Sequence, residues 1–211
     1  KIKISGVEVE NANDCQNILI FIEPLNQSST KTANTSLPNA NSKSYIVQQK
    51  NKKFEPDILP ILRGTSVSFL NKDHIFHNVF SLSKTKAFDL GSYPAGKFKK
   101  IIFDTSGLAV IYCNIHPEMI AYVLVLDYPY YSLGKSDCSY KISDIPDGKY
   151  FLKAWYRYGK GIEKQIELKS QKNIKVDFEM EKSSLMDLSF EKTKFDFKHT
   201  NKWGLPYSKE Y

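Results

Sequence analysis

The sequence predicts an all-β protein: a Greek-key β-sandwich followed by a second, smaller β-sandwich. Three observations carry that prediction. Apolar residues fall in short runs of roughly four to eight, rich in β-branched and aromatic side chains, including thirteen Tyr and thirteen Phe. Gly, Pro, Asn and Asp separate those runs as turn residues. No apolar stripe recurs at a helical period of about 3.6 residues over a long window.

Taken in order, Ile2, Ile4, Val7 and Val9 alternate with other residues, Asn11–Asp14 is a polar turn, and Ile18–Ile22 is a β-branched run ending at Pro24. Together they read as a hairpin. Residues 26–44 turn to Ser, Thr, Asn, Ala and Lys, too poor in apolar side chains to fold alone, and read as a flexible loop. Structure resumes at Tyr45-Ile46-Val47 and continues through Phe54–Leu62 to the turn Arg63-Gly64-Thr65. Ser66–Leu70 is a strand ending in the turn Asn71-Lys72-Asp73, which delivers His77. Phe88–Gly96 reads as loop, Phe98–Phe103 as strand and Asp104–Gly107 as turn, with Leu108–Tyr112 and Ile120–Leu126 as the last two strands of the sandwich. A boundary follows at Asp127-Tyr128-Pro129. Beyond it Ser139–Ile142, Tyr150–Trp155, Ile162–Leu168 and Ile174–Met180 read as strands of the second sandwich, with a turn at Ile145–Gly148. From Glu181 onward aromatics such as Phe190, Phe197 and Trp203 punctuate a charged stretch without a period. That tail is expected to pack across the body or a partner, with disorder as the alternative.

Between the last two strands of the first sandwich lies Cys113-Asn114-Ile115-His116-Pro117-Glu118-Met119. It sets a thiolate, an imidazole and a thioether at Cys-x2-His-x2-Met spacing. With a second imidazole this is the ligand set of an electron-transfer copper site, and His77, in Phe76-His77-Asn78-Val79-Phe80, is the candidate. With three Cys, four His and three Met in 211 residues, chance produces that spacing in roughly one chain in a thousand. The blander alternative is a core Cys and Met with His116 capping a strand.

Secondary roles follow from position. Asn78 is expected to bond across to the Cys113 loop, a plain turn residue being the alternative, and the backbone N–H of Asn114 to point at the sulfur. His77 is expected to be buried and His116 to be the solvent-facing electron exit. Glu118 should favour the protonated His116 imidazole and make the reduced form pH-sensitive. Strand alternation sets His74 on a different face, as a surface residue rather than a second metal ligand. His199 reads as solvated, and Met180 and Met186 as packing.

A formal charge of +7 and a pI near 9.1 come from scattered lysines, without a block of like charge, and read as a solvated surface. The next reading is an acidic redox partner or an anionic envelope; nucleic acid is not expected. No apolar stretch reaches the roughly 18–20 residues of a membrane span, which leaves peripheral envelope association open. Because Lys1-Ile2-Lys3-Ile4 already reads as strand, the chain is expected to be a mature or trimmed form whose signal peptide has been removed. If Cys113 holds metal, Cys15 and Cys138 remain. A disulfide between them fits a periplasmic or extracellular compartment; two unpaired thiols is the alternative that the sequence leaves open.

Residues from about 54 to 126 resemble the cupredoxins, the blue-copper fold. Phe54-Glu55-Pro56 with Gly64-Thr65-Ser66-Val67 resembles their first core strands, and Phe69–Asp73 with His77-Asn78-Val79 the strand that delivers the first histidine. The Cys113-x2-His116-x2-Met119 loop has the short amicyanin-like spacing, down to Pro117. The resemblance implies one type 1 copper ion, with His77, Cys113 and His116 as equatorial ligands and Met119 as the weak axial one. Ile115 and Glu118 replace a proline and a phenylalanine of that loop, so the partner cannot be carried across. Ile4-Ser5-Gly6, Ile18–Glu23 and Ile145–Tyr150 are similar to the carboxypeptidase regulatory-like (transthyretin-type) sandwich. The combination resembles bacterial methylamine-utilisation-like proteins, in which a cupredoxin domain interrupts that sandwich. It implies a first piece at 1–25, a loop at 26–44, the cupredoxin domain at 45–127, the rest of the sandwich at 128–182 and a tail at 183–211. Pairing of Cys15 with Cys138 would then tie the two pieces together.

The function expected is transfer of single electrons between redox partners, without substrate turnover. A copper delivery or sensing module and a structural envelope protein with a stabilising metal site are the alternatives. An oxidase or reductase typically needs further copper ligands, and the chain has four histidines.

Overall fold

A computed structural model of the chain describes residues 12–25, 44–169 and 173–181. The strand expected within 1–10, the loop through residue 43 and the tail 183–211 lie outside the described residues. The described residues form two compact units, one of 44–126 and one of 12–25 with 127–169 and 173–181. Both are all-β. The strands in chain order are β1 (Ile18–Pro24), β2 (Ser44–Lys50), β3 (Lys53–Glu55), β4 (Ile58–Leu62), β5 (Thr65–Asn71), β6 (His77–Ser83), β7 (Lys86–Tyr93), β8 (Phe98–Phe103), β9 (Gly107–Tyr112), β10 (Ile120–Leu126), β11 (Tyr131–Leu133), β12 (Gly148–Tyr156) and β13 (Ile162–Leu168).

In the 44–126 unit two sheets, ordered β4-β10-β9-β6-β7 and β3-β2-β5-β8, enclose one core. Val47, Phe69, Val79, Phe103, Ile111 and Val123 in it are wholly buried, each large apolar side chain contributing about 1.5–3 kcal/mol. β10 runs antiparallel to β9 and parallel to β4. It is covered on both sides, which accounts for its continuous apolar run. Pro60 is tolerated because β4 is an edge strand.

Phe88–Gly96 is not the loop expected of it, since β7 takes Lys86–Tyr93. Between the pairs Asn78↔Ser92 and Phe80↔Asp89 the register shifts by one residue on β7, and Gly91 there has a φ of 62°. Such a bulge flips the side-chain phase. Phe88 and Leu90 pack against the core from one side of it and Tyr93 from the other, so simple alternation is lost.

The other unit is an antiparallel sheet ordered β11-β1-β12-β13. Two segments expected as strands, Ser139–Ile142 and Ile174–Met180, join no ladder among the described residues. Tyr140, Ile142, Phe178 and Met180 are nevertheless buried against Ile18, Ile20, Ile22 and Leu152, and Tyr140 Oη donates to the Val176 carbonyl at 2.8 Å. Alternation in the sequence reported burial on one side, which both segments show. β11, which begins two residues after Pro129, was not anticipated.

The polar turn at Asn11–Asp14 extends as a 3-10 segment, Ala12–Asn17, which carries Cys15. Cys15 is bonded to Cys138, their Cα atoms 5.2 Å apart, within the ordinary disulfide range. Gly134 donates its N–H to the Ile18 carbonyl at 2.9 Å, and a methyl group there would overlap the Cys15 carbonyl oxygen. No helix among the described residues is long and apolar enough to cross a membrane.

Candidate metal centre

Sheet topology brings the donors together. β6 begins at His77 and β9 ends one residue before Cys113, and the two strands are antiparallel neighbours through Phe80↔Tyr112. The start of one therefore lies beside the end of the other. The pair Tyr112↔Ile120 closes the loop from Cys113 to Met119 at its base. Within it the Met119 N–H donates to the His116 carbonyl at 3.0 Å, a turn through Pro117 and Glu118.

His77, Cys113 and His116 place one donor atom each within 4.8 Å of one another. Cys113 Sγ lies 3.8 Å from His77 Nδ1 and 3.9 Å from His116 Nδ1. With bonds of about 2.0 Å to nitrogen and 2.3 Å to thiolate, as at zinc, a trigonal ion needs N···S separations of about 3.7 Å. The donor set fits a metal ion. His77 is fully enclosed and Cys113 is 3% exposed, whereas Ile115, next to His116, is 48% exposed. Met119 is buried in the same core cluster as Cys113.

Asn78 joins the two donor segments. Its Oδ1 accepts the Asn114 N–H at 2.7 Å and its Nδ2 donates to Asp89 Oδ1 at 3.0 Å. Asn114 therefore does not aim its N–H at the sulfur as expected; the amide oxygen of Asn78 claims it. Asn78→Ala is expected to leave that N–H unpaired and cost about 1–3 kcal/mol, read from denaturant unfolding of the metal-free protein.

The pKa of His116 falls below its ordinary value: burial opposes the charge, His77 and Lys52 add to that, and together they outweigh the opposite pull of Glu118 and Asp73. Glu118 thus acts in the direction expected but does not prevail. A depressed imidazole pKa means stability is intact above the unfolded value of about 6.5 and is lost as pH falls through the folded value. Unfolding of the metal-free protein from about pH 8 to about pH 5 should show that loss, reduced in His116→Gln.

Three supporting residues escaped the sequence reading. Asp73 Oδ2 lies 2.8 Å from His77 Nε2. Although burial works against it, the Lys52 N–H, the His77 ring and the Asn51 N–H hold the Asp73 carboxyl below its usual value. Asn71 shapes the approach to His77, donating from Nδ2 to the carbonyls of Ile75 and Tyr93 and accepting the Asp73 N–H. Gln49, fully buried, donates to the Asn78 carbonyl at 3.2 Å. Asn71 and Asp73 were visible only as a turn signal, and Gln49 gave none. His74 is exposed, in a bend rather than a strand, and Met180 packs in the other unit. His199 and Met186 lie outside the described residues.

No protein-family model matches the chain, and no curated protein matches it. Among solved structures it is similar to a copper-containing nitrite reductase from Thermus scotoductus SA-01, with a TM-score of 0.39 and 26% identity over 41% of this chain and 23% of that one. The match thus spans about a quarter of that reductase. It is also similar to two amicyanin structures. One is a Cu(I) methionine-to-alanine variant, with a TM-score of 0.37 and 21% identity over 39% of this chain and 82% of the other. The second is a reduced tryptophan-to-tyrosine variant, with a TM-score of 0.38 and 21% identity over 41% and 85%.

Proposed function

We propose that residues 44–126 hold one copper ion as a type 1 centre and pass single electrons between redox partners. The observation that carries this reading is the convergence of His77 Nδ1, Cys113 Sγ and His116 Nδ1 on one point. Two imidazoles and a thiolate with a thioether nearby are characteristic of blue copper, whereas structural zinc takes four strong ligands. When bound, the ion supplies a reversible one-electron couple.

The chain's own residues do the rest. Cys113 would hold the ion as a thiolate and His77 and His116 as neutral imidazoles, with Met119 as a weak thioether donor. The Tyr112↔Ile120 pair, the Asn114–Asn78 bond and the Met119–His116 turn hold the donors in place, which limits movement on a change of charge. His116, on the loop, is the exit for electrons, and His77 is the enclosed anchor. The disulfide supports a periplasmic or extracellular setting. An acidic partner protein fits the net charge, and the second unit is offered as the regulatory-like sandwich that the first interrupts.

Adding cupric ion should produce an intense visible thiolate band that ascorbate bleaches and air restores, with rapid electron exchange. A colourless copper-replete protein rules the reading out. Rapid loss of copper to an acceptor with slow electron exchange would favour a delivery module instead.

A further inference from the structure

The back of the His77 ring is engaged as closely as its front. Nδ1 faces Cys113 Sγ at 3.8 Å, and Nε2 lies 2.8 Å from Asp73 Oδ2. A neutral imidazole carries one N–H, and an ionised carboxylate only accepts. The pairing therefore puts the proton on Nε2 and leaves the lone pair on Nδ1, on the side where His116 and Cys113 converge.

Asp73 is itself held from three directions. The Asn51 N–H donates to Oδ1 at 2.6 Å and the Lys52 N–H to Oδ2 at 2.9 Å. Its own N–H donates to Asn71 Oδ1 at 3.0 Å. Asn51 and Lys52 form the two-residue turn between β2 and β3, both left-handed, with φ of 53° and 55°. Asparagine suits such a turn, but lysine in place of glycine is strained there. A turn carrying that strain spends both of its free N–H groups on one carboxylate, so the carboxylate cannot rotate away from His77. The side chain of Asp73 is 14% exposed and that of His77 not at all, so the charge reaches the buried ring from the rim of the unit.

Resting on the copper reading above, we propose that Asp73 is a positioning residue for the metal centre: it fixes the His77 tautomer and sets a full negative charge behind the ring, favouring the cupric over the cuprous state. The sign follows from charge. The cupric form carries one more positive charge, so a nearby anion stabilises it more, and a hydrogen-bonded carboxylate also makes the imidazole a stronger donor.

The simpler role for Asp73 is to hold the turn, and the experiment separates the two. Asp73→Asn removes the charge, and Lys52→Gly relieves the turn, so the double variant no longer depends on the carboxylate for its backbone. In the metal-free protein at mildly alkaline pH, nitrogen NMR should show His77 as the Nε2–H tautomer, and Asp73→Asn should shift that population in both backgrounds. With copper, cupric affinity should fall by about 10–100-fold, cuprous affinity by less, and the reduction potential should rise. If Asp73→Asn lowers only the unfolding midpoint, and Lys52→Gly restores it with tautomer and affinity ratio unchanged, Asp73 serves the turn alone and the proposal is overturned. A wild-type protein that stays colourless with copper sinks the electron-carrier reading, yet the metal-free tautomer still decides whether Asp73 positions His77.

Discussion

Cys113→Ser is expected to abolish the visible band of the copper-loaded protein. It should also weaken copper binding by more than the roughly 10–100-fold that follows loss of an outer partner. Cys113 is the one thiol outside the disulfide and the sole anionic donor among the three converging groups. A thiol with an ordinary pKa near 8.5 becomes a thiolate when a metal displaces its proton, whereas a serine hydroxyl ionises far less readily and gives a hard oxygen. The band belongs to the sulfur, so it should vanish rather than move. The fold should persist, because the new hydroxyl is nearly isosteric with the thiol it replaces. Matching far-ultraviolet circular dichroism of the two metal-free proteins checks that condition. A serine variant that kept the colour would place the chromophore elsewhere.

The same residues show why part of this site was legible in the sequence. Cys113, His116 and Met119 sit in one short loop between two apolar strands, so their spacing is itself a local signal. His77 lies 36 positions from Cys113 and was found only because a strand and a turn signal precede it. Asp73 was not found: an Asp after a strand is what any turn needs, and nothing in one dimension distinguishes a turn residue from one facing a ring. Gln49 shows the same limit, since its bond to Asn78 exists only once the two sheets are packed together. In the fold, β10 was plain because burial on both sides leaves a continuous apolar run. β7 was hidden by the bulge at Gly91, which breaks the period that identifies a strand. Ile174–Met180 was read from a period of two, and Phe178 and Met180 lie on its buried side.

The second large effect is expected in the other unit. Replacing Cys15 and Cys138 with alanine should destabilise the unit of 12–25 and 127–181 by about 4 kcal/mol through the extra freedom of its unfolded chain. The bridge closes a separation of 123 residues, which by loop entropy alone corresponds to about 5 kcal/mol. Residues 44–126 have a core of their own, however. If they stay folded while the other unit opens, only about 40 residues of the loop gain freedom, and the logarithmic dependence brings the figure down to about 4 kcal/mol. Trp155, which pairs with Leu19 on β1, reports that unit in a Trp203→Phe background, and the copper band reports the other. Denaturant titration should show the tryptophan transition moving to much lower denaturant while the colour is lost where it was before. Equal shifts in both signals would mean that the two units unfold together, and the full loop would then be the right reference. No shift in either would mean that the bridge constrains a chain already held by its packing.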